Sequence, residues 1–280
     1  MHRTISSQVI QEAVEKLCYR CNIFLPADIK NSLEKTITFE KNPRARKLLG
    51  YLVENAKIAE QEQIAICQDC GIGYFWVEIG QEVMIDGDLH QALQEGMAQA
   101  YTKGFLRKSV VRHPFDRINT QNNCPAVVHV ELQAGNHLHI YFTPKGAGSE
   151  NCSAVSFFNP TATMDTIEQW VIDQTTAAAK KACGPLIVGL GIGGSADYCS
   201  LLAKKALFRS IGSRNADPLI RDLEVRLIGQ INSSGIGPQG LGGDTTVLEV
   251  FAEWFPTHIA MLPLAINIQC HAARHGRISL

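Results

Sequence analysis

Cysteines are the residues of this chain with the widest capacity for chemistry, and two C-x-x-C pairs stand out, Cys18–Cys21 and Cys67–Cys70. Such a pair can supply half of a zinc site, close a redox disulfide, or hold a single working thiolate. The nine cysteines occupy positions 18, 21, 67, 70, 124, 152, 183, 199 and 270. The number of cysteines is odd, and the N-terminal sequence has no apolar signal segment. Both features favour free thiols or metal ligands in a reducing compartment over a set of disulfides.

Three glycine-rich segments offer a second kind of chemistry: Lys145–Asn151, Gly189–Ser195 and Gly235–Gly243. Without a side chain in the way, backbone N–H groups at glycine can point at an anion. Such segments suit the binding of carboxylate or phosphate, although each of them could also be a tight turn.

The middle segment satisfies G-x-G-x-x-G and stands between an apolar strand pattern and a helical one, as a dinucleotide-binding fingerprint requires. The second strand of that fold, which ends in an acidic residue about 20 positions later, is missing. We therefore expect no nicotinamide or flavin site.

The elements that must position these groups follow from apolar spacing. Helices are predicted over residues 5–17, 43–60, 88–101, 164–182, 196–208 and 218–232, and strands over 73–79, 186–190, 245–251 and 264–268. Alternation over Ala126–Leu132 and His137–Phe142, with Gly135 and Asn136 at the turn, predicts a hairpin. Helices and strands intermingle without regular βαβ alternation, which predicts one irregular mixed α/β domain over residues 1–280 rather than a doubly wound Rossmann fold.

Charge and hydropathy exclude some classes of partner. Lys and Arg number 26 against 27 Asp and Glu, for a net charge of -1, which argues against nucleic acid or an anionic membrane as the main partner. The apolar run from Ile259 to Cys270 is too short to span a bilayer and contains Pro263 and Asn267. We expect a cytoplasmic protein.

Five motifs occur in a fixed order along the chain: ICQDCG, KGAGSEN, CGPLIVGLGIGG, GIGPQGLGGDTT and LPLAINIQCHAARHG. Together they resemble the alpha subunit, or the equivalent N-terminal half, of class I iron–sulfur fumarate hydratases and L-tartrate dehydratases. The resemblance covers nearly the whole chain.

This resemblance implies a 4Fe–4S cluster held by Cys67, Cys183 and Cys270. Soft thiolates are the usual ligands of such clusters. Three ligands for four irons would leave one iron open as a Lewis acid for the hydroxyl and carboxylate of the substrate.

The resemblance also assigns the residues around the substrate. Asp69 and His258 are implied as catalytic residues, Asp69 to orient a base or handle a proton and His258 to donate a hydrogen bond. The substrate-binding residues would be Gln68, Arg107, Gly146 and Gly148. Arginine suits a dicarboxylic acid because its planar guanidinium makes two parallel hydrogen bonds to a carboxylate.

These roles have plainer alternatives at two positions. Asp69 could simply cap a turn, and Arg107 could form an ion pair on the surface.

Two positions depart from the family pattern. Cys70 stands where the family usually has threonine, and Asp244 stands where lysine is more frequent. Zinc or a disulfide through Cys67–Cys70 therefore stays open, as does a four-cysteine zinc site that includes Cys18–Cys21.

The family's catalytic base has no counterpart in this chain, because it belongs to the beta subunit. The expected function is that of an alpha subunit in a hetero-oligomer that reversibly hydrates fumarate to malate. L-tartrate dehydration is the alternative within the family. A zinc-stabilised or thiol-redox protein is the alternative from another class.

Overall fold

A computed structural model describes residues 3–280. Its helices are α1 Ser7–Ile23, α2 Ala27–Phe39, α3 Pro43–Glu62, α4 Leu89–Lys103, α5 Ala147–Glu150, α6 Met164–Ala179, α7 Ala196–Ala206 and α8 Pro218–Asn232. Its strands are β1 Arg3–Ser6, β2 Ile72–Gly80, β3 Val83–Asp86, β4 Val127–Gln133, β5 Leu138–Lys145, β6 Ala154–Phe158, β7 Leu186–Gly193, β8 Val247–Phe255, β9 Leu262–Gln269 and β10 Gly276–Ser279. The mixed α/β class expected from the sequence is confirmed.

The contacts of the chain divide it into two compact units. The first comprises residues 3–26, Ala56–Ala147 and Arg274–Leu280, and the second comprises Ala27–Asn55 and Gly148–Ala273. The expectation of a single domain over residues 1–280 stays a prediction. Among residues 3–280, no helix combines the length and apolar character needed to cross a membrane.

The first unit is built on a four-stranded sheet in the order β10-β5-β2-β4, with a smaller parallel pair of β1 and β3. Helices α1 and α4 pack on each other and on this sheet, with Val14, Leu93, Phe75 and Phe142 in the core. Ser6 and Asp88 are the N-caps of α1 and α4, because their side chains accept hydrogen bonds from backbone N–H groups of the first turn. Residues 5 and 6, predicted as helix, belong to β1, and residues 1 and 2 lie outside the described residues.

The predicted hairpin of β4 and β5 is wrong, although both strands exist. β2 lies between them, parallel to β4 and antiparallel to β5. The apolar β2 is buried over most of its length and takes the central position, where both of its edges are paired. The 134–137 turn passes over the end of β2, and a Cβ at Gly80 would lie 2.2 Å from the Gly135 oxygen. Glycine at position 80 is what lets this turn cross over the strand.

The second unit is built on a sheet in the order β6-β9-β7-β8. β7 is parallel to β8 and antiparallel to β9, and helices α6, α7 and α8 contribute to the same unit. The predicted bounds of α8 are confirmed, with Asp217 as the N-cap and Pro218 in the first turn. Helix α2 was not predicted, because only Ile29 and Leu33 are buried and the apolar period is correspondingly weak.

Most of the segment Gly189–Ser195 is neither an anion-binding loop nor a tight turn, because residues 189–193 lie inside β7. Their glycines allow α7 to approach the strand closely. A Cβ at Gly189 would lie 2.1 Å from the Ala203 oxygen, and one at Gly191 would lie 1.8 Å from the Cys199 oxygen. The G-x-G-x-x-G spacing here serves helix–strand packing.

Gly191→Ala should therefore lower the free energy of unfolding by at least about 2 kcal/mol, because the new methyl group overlaps with backbone atoms that cannot move independently. Gly229→Ala is the matched control, since Gly229 lies in α8 and, apart from its two chain neighbours and the adjacent helix backbone, no heavy atom of residues 3–280 would come within 4 Å of the added methyl group. This control should stabilise the protein by roughly 0.5–1 kcal/mol. Urea unfolding of both variants measures the difference, and equal stability of the two would contradict the packing argument.

Candidate active site

The Cys67 segment of the first unit is a bend between α3 and β2. Ile66 anchors it, because its side chain is buried and its N–H donates to the Asn22 oxygen at 3.0 Å. The Cys67 side chain is half-buried, and its thiol lies 3.5 Å from Gln68 Oε1. Gln68 itself is partly exposed. Both side chains are thus accessible from solvent on a fixed backbone.

The carboxylate of Asp69 is held by two backbone donors. The N–H of Gly71 donates to Oδ1 at 3.0 Å, and the N–H of Ala147 donates to Oδ2 at 2.8 Å. A Cβ at Gly146 would lie 3.2 Å from Oδ2, so the glycine leaves room for this approach. Hydrogen bonds to an ionised acceptor are among the strong ones. Asp69 therefore links the Cys67 segment to the start of the KGAGSEN motif. The bond to the Gly71 N–H is the turn cap that was the alternative to catalysis, and the bond to the Ala147 N–H adds a contact with a second segment.

Arg274 is a residue of this region that sequence reasoning did not single out. Its side chain is only 1 % exposed, and its Nη2 donates to the Asp69 backbone oxygen at 2.8 Å. The Arg274 oxygen in turn accepts from Thr143 Oγ1 at 2.6 Å. A charged residue ending the otherwise small and apolar stretch Ala272–Arg274 was the signal available in the sequence. Arg274 fixes the peptide that carries Asp69.

Cys70 is buried and connects two segments of the site. Its thiol donates to the Cys67 oxygen at 3.6 Å and accepts from the Arg107 N–H at 3.3 Å. The Cys70 oxygen accepts from the Tyr101 hydroxyl at 2.5 Å. Burial raises the pKa of the Cys70 thiol, partly offset by the hydrogen bond from the Arg107 backbone. A protonated, hydrogen-bonded thiol is a structural group, and a threonine hydroxyl can make the same two bonds.

The second C-x-x-C pair, Cys18–Cys21, lies in the C-terminal part of α1. Both thiols are buried, and burial raises the pKa of Cys21 to about 12 and that of Cys18 well above its ordinary value. All nine cysteines are free thiols. Over residues 3–280, no three His, Cys, Asp or Glu side chains are grouped as a metal site. Burial of the Cys18 and Cys21 thiols therefore gives the four-cysteine zinc alternative no support, and no grouping of ligands favours zinc over a cluster.

Arg107 lies in the loop that follows α4. Its backbone is fixed through Cys70 and through the buried Leu106, while its side chain is accessible. The neighbouring Arg112 pairs with Asp116. No carboxylate within residues 3–280 pairs with Arg107, so the surface ion pair that is its alternative role is not formed.

Cys183 and Cys270 lie at the same end of the two central strands, β7 and β9, of the sheet in the second unit. Cys183 precedes β7 and Cys270 follows β9, and the register pairs Ile187 with Gln269. The His271 N–H donates to the Cys183 oxygen at 3.0 Å, and its Nδ1 lies 3.1 Å from the same oxygen. Cys183 is exposed and Cys270 half-buried. Two thiols that are far apart in sequence are thus brought onto adjoining loops.

The third glycine-rich segment packs against the Cys183 loop. Gln239, held at a positive φ of 57°, donates from Nε2 to the Gly184 oxygen at 2.5 Å, and the same nitrogen lies 3.3 Å from His271 Nδ1. Gln239 was not among the predicted site residues, because nothing in its spacing distinguishes it from a turn residue. It braces the loops that carry both cysteines.

Asp244 has a local structural role that accounts for its presence. Its N–H donates to both carboxylate oxygens of the buried Glu40, each at 3.0 Å. Its own carboxylate accepts from the Lys41 N–H at 3.3 Å. These reciprocal bonds fasten the glycine-rich segment to the residues before α3, and a lysine side chain could not accept the second one.

His258 lies at the opposite end of the same sheet from Cys183 and Cys270. It belongs to the exposed loop between β8 and β9, where Thr257 Oγ1 donates to the Gly194 oxygen at 3.0 Å. β7 spans eight residues, or about 26 Å at roughly 3.3 Å per residue. The structure therefore does not bring His258 to these cysteines within one chain. Its Nδ1 accepts from the Ala260 N–H at 3.1 Å, which leaves the proton of the neutral ring on Nε2.

Gly148 is exposed in the second unit, and, apart from its chain neighbours and the backbone of its own helix, no heavy atom of the described chain lies within 4 Å of where its Cβ would be. Its oxygen accepts from the Cys152 thiol at 3.4 Å. The nearby Glu150 pairs with Lys204 and accepts from Asn267 Nδ2 at 3.1 Å. The SEN part of the motif is thus fixed, and Gly148 itself is open to solvent.

Cys70→Thr should leave the free energy of unfolding within about 1 kcal/mol of the parent, because the hydroxyl replaces both hydrogen bonds of the thiol. Cys70→Val has nearly the same shape and neither bond, and it should cost about 1–3 kcal/mol by leaving the Arg107 N–H unsatisfied. Chemical unfolding with intact thiols measures both variants. Equal losses would mean that the size of the side chain, rather than its hydrogen bonds, decides this position.

Comparison with known proteins identifies the family. A family model described as Fumarate hydratase (Fumerase) matches residues 11–279. The chain is 39% identical over 274 residues to a Methanocaldococcus jannaschii protein named "Putative L(+)-tartrate dehydratase subunit alpha", covering 95% of this chain and 96% of that one. It is 28% identical over 258 residues to the L(+)-tartrate dehydratase subunit alpha of Escherichia coli K12, covering 91% and 85% of the two chains. The chain therefore belongs to the fumarate hydratase (Fumerase) family and is a hydro-lyase.

Proposed function

We propose that this chain is the alpha subunit of a hydro-lyase that adds water to, and removes it from, a four-carbon dicarboxylic acid, with fumarate and malate as the substrate pair. The observation that carries this proposal is Arg107, an accessible guanidinium with a fixed backbone and no protein carboxylate as a partner among residues 3–280. A dicarboxylic acid supplies the missing partner, because a guanidinium binds a carboxylate through two parallel hydrogen bonds.

L-tartrate is the second candidate substrate, and the names of the relatives favour it. Tartrate differs from malate by one further hydroxyl group. A pocket that hydrogen-bonds this hydroxyl rejects a substrate that lacks it strongly, so few contacts decide between the two acids.

Cys67, Cys183 and Cys270 are the residues proposed to hold a 4Fe–4S cluster. The donor set is compatible with this role, because all three thiols lie in loops and are exposed or half-buried, as are Cys124 and Cys152, whereas Cys18, Cys21, Cys70 and Cys199 are buried. Accessible thiols can ionise and bind iron, while buried ones stay protonated. When bound, the cluster supplies an iron with an open position, which acts as a Lewis acid on the hydroxyl group of the substrate.

The side chains of this chain bind and orient the substrate. Arg107 holds one carboxylate, and the Gln68 amide lies next in sequence to Cys67 and is open to solvent. Gly146 and Gly148 are proposed as backbone donors to the other carboxylate. The Asp69 carboxylate accepts hydrogen bonds from two backbone N–H groups, so its first role is to hold the Cys67 segment against the start of the KGAGSEN motif. Its remaining lone pairs can orient a proton carrier.

His258 is proposed as a donor to substrate through Nε2, since its Nδ1 is occupied as an acceptor. Because His258 and Cys183 lie at opposite ends of one sheet, a single chain cannot supply both to one substrate molecule. A catalytic His258 would have to come from a second copy of the chain. A beta subunit is the proposed source of the base, and the name "subunit alpha" of the relatives is consistent with such a partner.

The cluster proposal predicts iron and acid-labile sulfide near four each per chain after anaerobic purification. Cys67→Ser, Cys183→Ser and Cys270→Ser should each lose most of both. Cys152→Ser is the matched control, because Cys152 is also half-buried and serine keeps its bond to the Gly148 oxygen. Bound zinc near one per chain, lost with Cys70→Ser, would instead support the C-x-x-C alternative.

The substrate proposal is tested with the chain co-expressed with its beta partner, on fumarate, malate, L-tartrate and mesaconate. We expect the highest kcat/KM on fumarate and malate. Arg107→Lys should lower kcat/KM by about 10- to 100-fold through the loss of a bidentate contact, at an unchanged iron content. Arg112→Lys is the control, since Arg112 already pairs with Asp116. A clear preference for L-tartrate would overturn the choice of fumarate, and equal effects of the two arginine variants would overturn the role of Arg107.

A further inference from the structure

Strand β4 ends the four-stranded sheet of the first unit, and its side chains are unusually apolar for an edge. Val127, Val130 and Leu132 are 40%, 56% and 65% exposed. An edge strand presents a row of backbone N–H and C=O groups, and proteins usually protect such an edge with lysine, proline or a bulge. The sequence of β4, VVHVELQ, contains neither lysine nor proline.

Val130 and Leu132 belong, with Val128, to the face of β4 that carries the core, whereas Val127 lies on the other face with His129 and Glu131. Val128 and Val130 lie opposite Phe75 and Val77 of β2, both fully buried. Since side chains alternate between faces, Leu132 points to the same side. These side chains are exposed because the sheet stops at β4, and the core is open at this edge.

A depression of about 380 Å³ lies beneath the open edge. Leu89 and Leu93 of α4 line it together with Val128 and Val130 of β4, and Gly87, Asp88 and His90 complete its wall. An apolar side chain from a neighbouring strand would fill this space. The edge thus offers backbone hydrogen bonds and a recess whose wall on the β4 side is apolar.

The sequence of β4 is complementary to itself in one register. In a regular antiparallel pair related by a twofold axis, opposite residues point to the same face, so the axis must pass through a residue position. An axis at His129 places histidine opposite histidine, and an axis at Glu131 places glutamate opposite glutamate. An axis at Val130 places His129 opposite Glu131 twice, and Val128 opposite Leu132 twice.

We propose that β4 pairs antiparallel with β4 of a second copy of this chain about a twofold axis at Val130. The pairing joins two four-stranded sheets into one of eight strands. Leu132 of each copy lies opposite Val128 of the other, and Val128 lines the depression. The inference is independent of the proposed function, since it uses only the edge, the depression and the register.

Charge favours a second copy over an unrelated strand. Glu131 on an edge opposes pairing with an arbitrary apolar strand, whereas in the self-paired register it lies opposite His129, whose ring N–H can donate a hydrogen bond to a carboxylate. The other sheet also has an apolar edge, β6, where Val155 and Phe157 are exposed. That strand has five residues and no charged side chain, so it lacks a comparable register signal.

The first test is the mass of the full chain in solution, by light scattering and sedimentation. We expect a dimer, which Val130→Asp weakens by about 100-fold or more because two carboxylates meet at the axis. Val155→Asp, on β6, should leave the dimer intact. A monomeric parent chain, or a dimer lost with Val155→Asp and kept with Val130→Asp, would overturn the proposal. Thermal unfolding of each variant separates loss of pairing from loss of fold.

The second test addresses the register. Val130→Cys should form a disulfide between copies under mild oxidation, because equivalent residues at the axis have Cα atoms about 4.5–5.5 Å apart. Leu132→Cys is the matched control on the same face, and it should not cross-link because Leu132 lies opposite Val128. Cross-linking by neither variant, or by both equally, would reject a twofold axis at Val130. The unmodified chain gives the background from its own cysteines.

Discussion

The antiparallel register between β7 and β9 is the constraint on which the second unit depends. It sets the residues before β7 beside those after β9, so Cys183 and Cys270 reach adjoining loops. The same pairing sends the loop of His258 to the other end of the sheet. One register thus gathers two predicted ligands and separates them from a residue predicted to work with them. No local preference of these residues could have produced either result.

In the first unit, the corresponding role falls to hydrogen bonds that hold loops rather than strands. Asp69 binds two backbone N–H groups through its carboxylate, and Arg274 binds the Asp69 oxygen from a buried position. Cys70 links the Cys67 bend to the Arg107 loop in the same way. The Cys67 and Arg107 side chains can therefore remain accessible, because buried neighbours restrain their backbones. Accessible groups on a restrained backbone are what a binding site requires.

Both departures from the family pattern have local physical accounts. The thiol of Cys70 makes the bonds that a threonine hydroxyl could make, and Asp244 accepts a backbone hydrogen bond that lysine could not. Each substitution keeps or adds a contact that holds a loop. Neither position needs a new metal site or a disulfide to explain it.

The sequence by itself determined the mixed α/β class, the bounds of α8, the approximate residue range of β2 and, through five ordered motifs, the family. These follow from local periodicity, capping and short motifs, which depend on neighbouring residues only. The tertiary structure alone decided that β2 separates β4 from β5, that the glycines of β7 face α7, and that Arg274 and Gln239 brace the candidate site. Pairing partners and close approaches depend on residues far apart in the chain. Burying the apolar β2 between β4 and β5 outweighs the preference of the short turn at Gly135 and Asn136 for a hairpin.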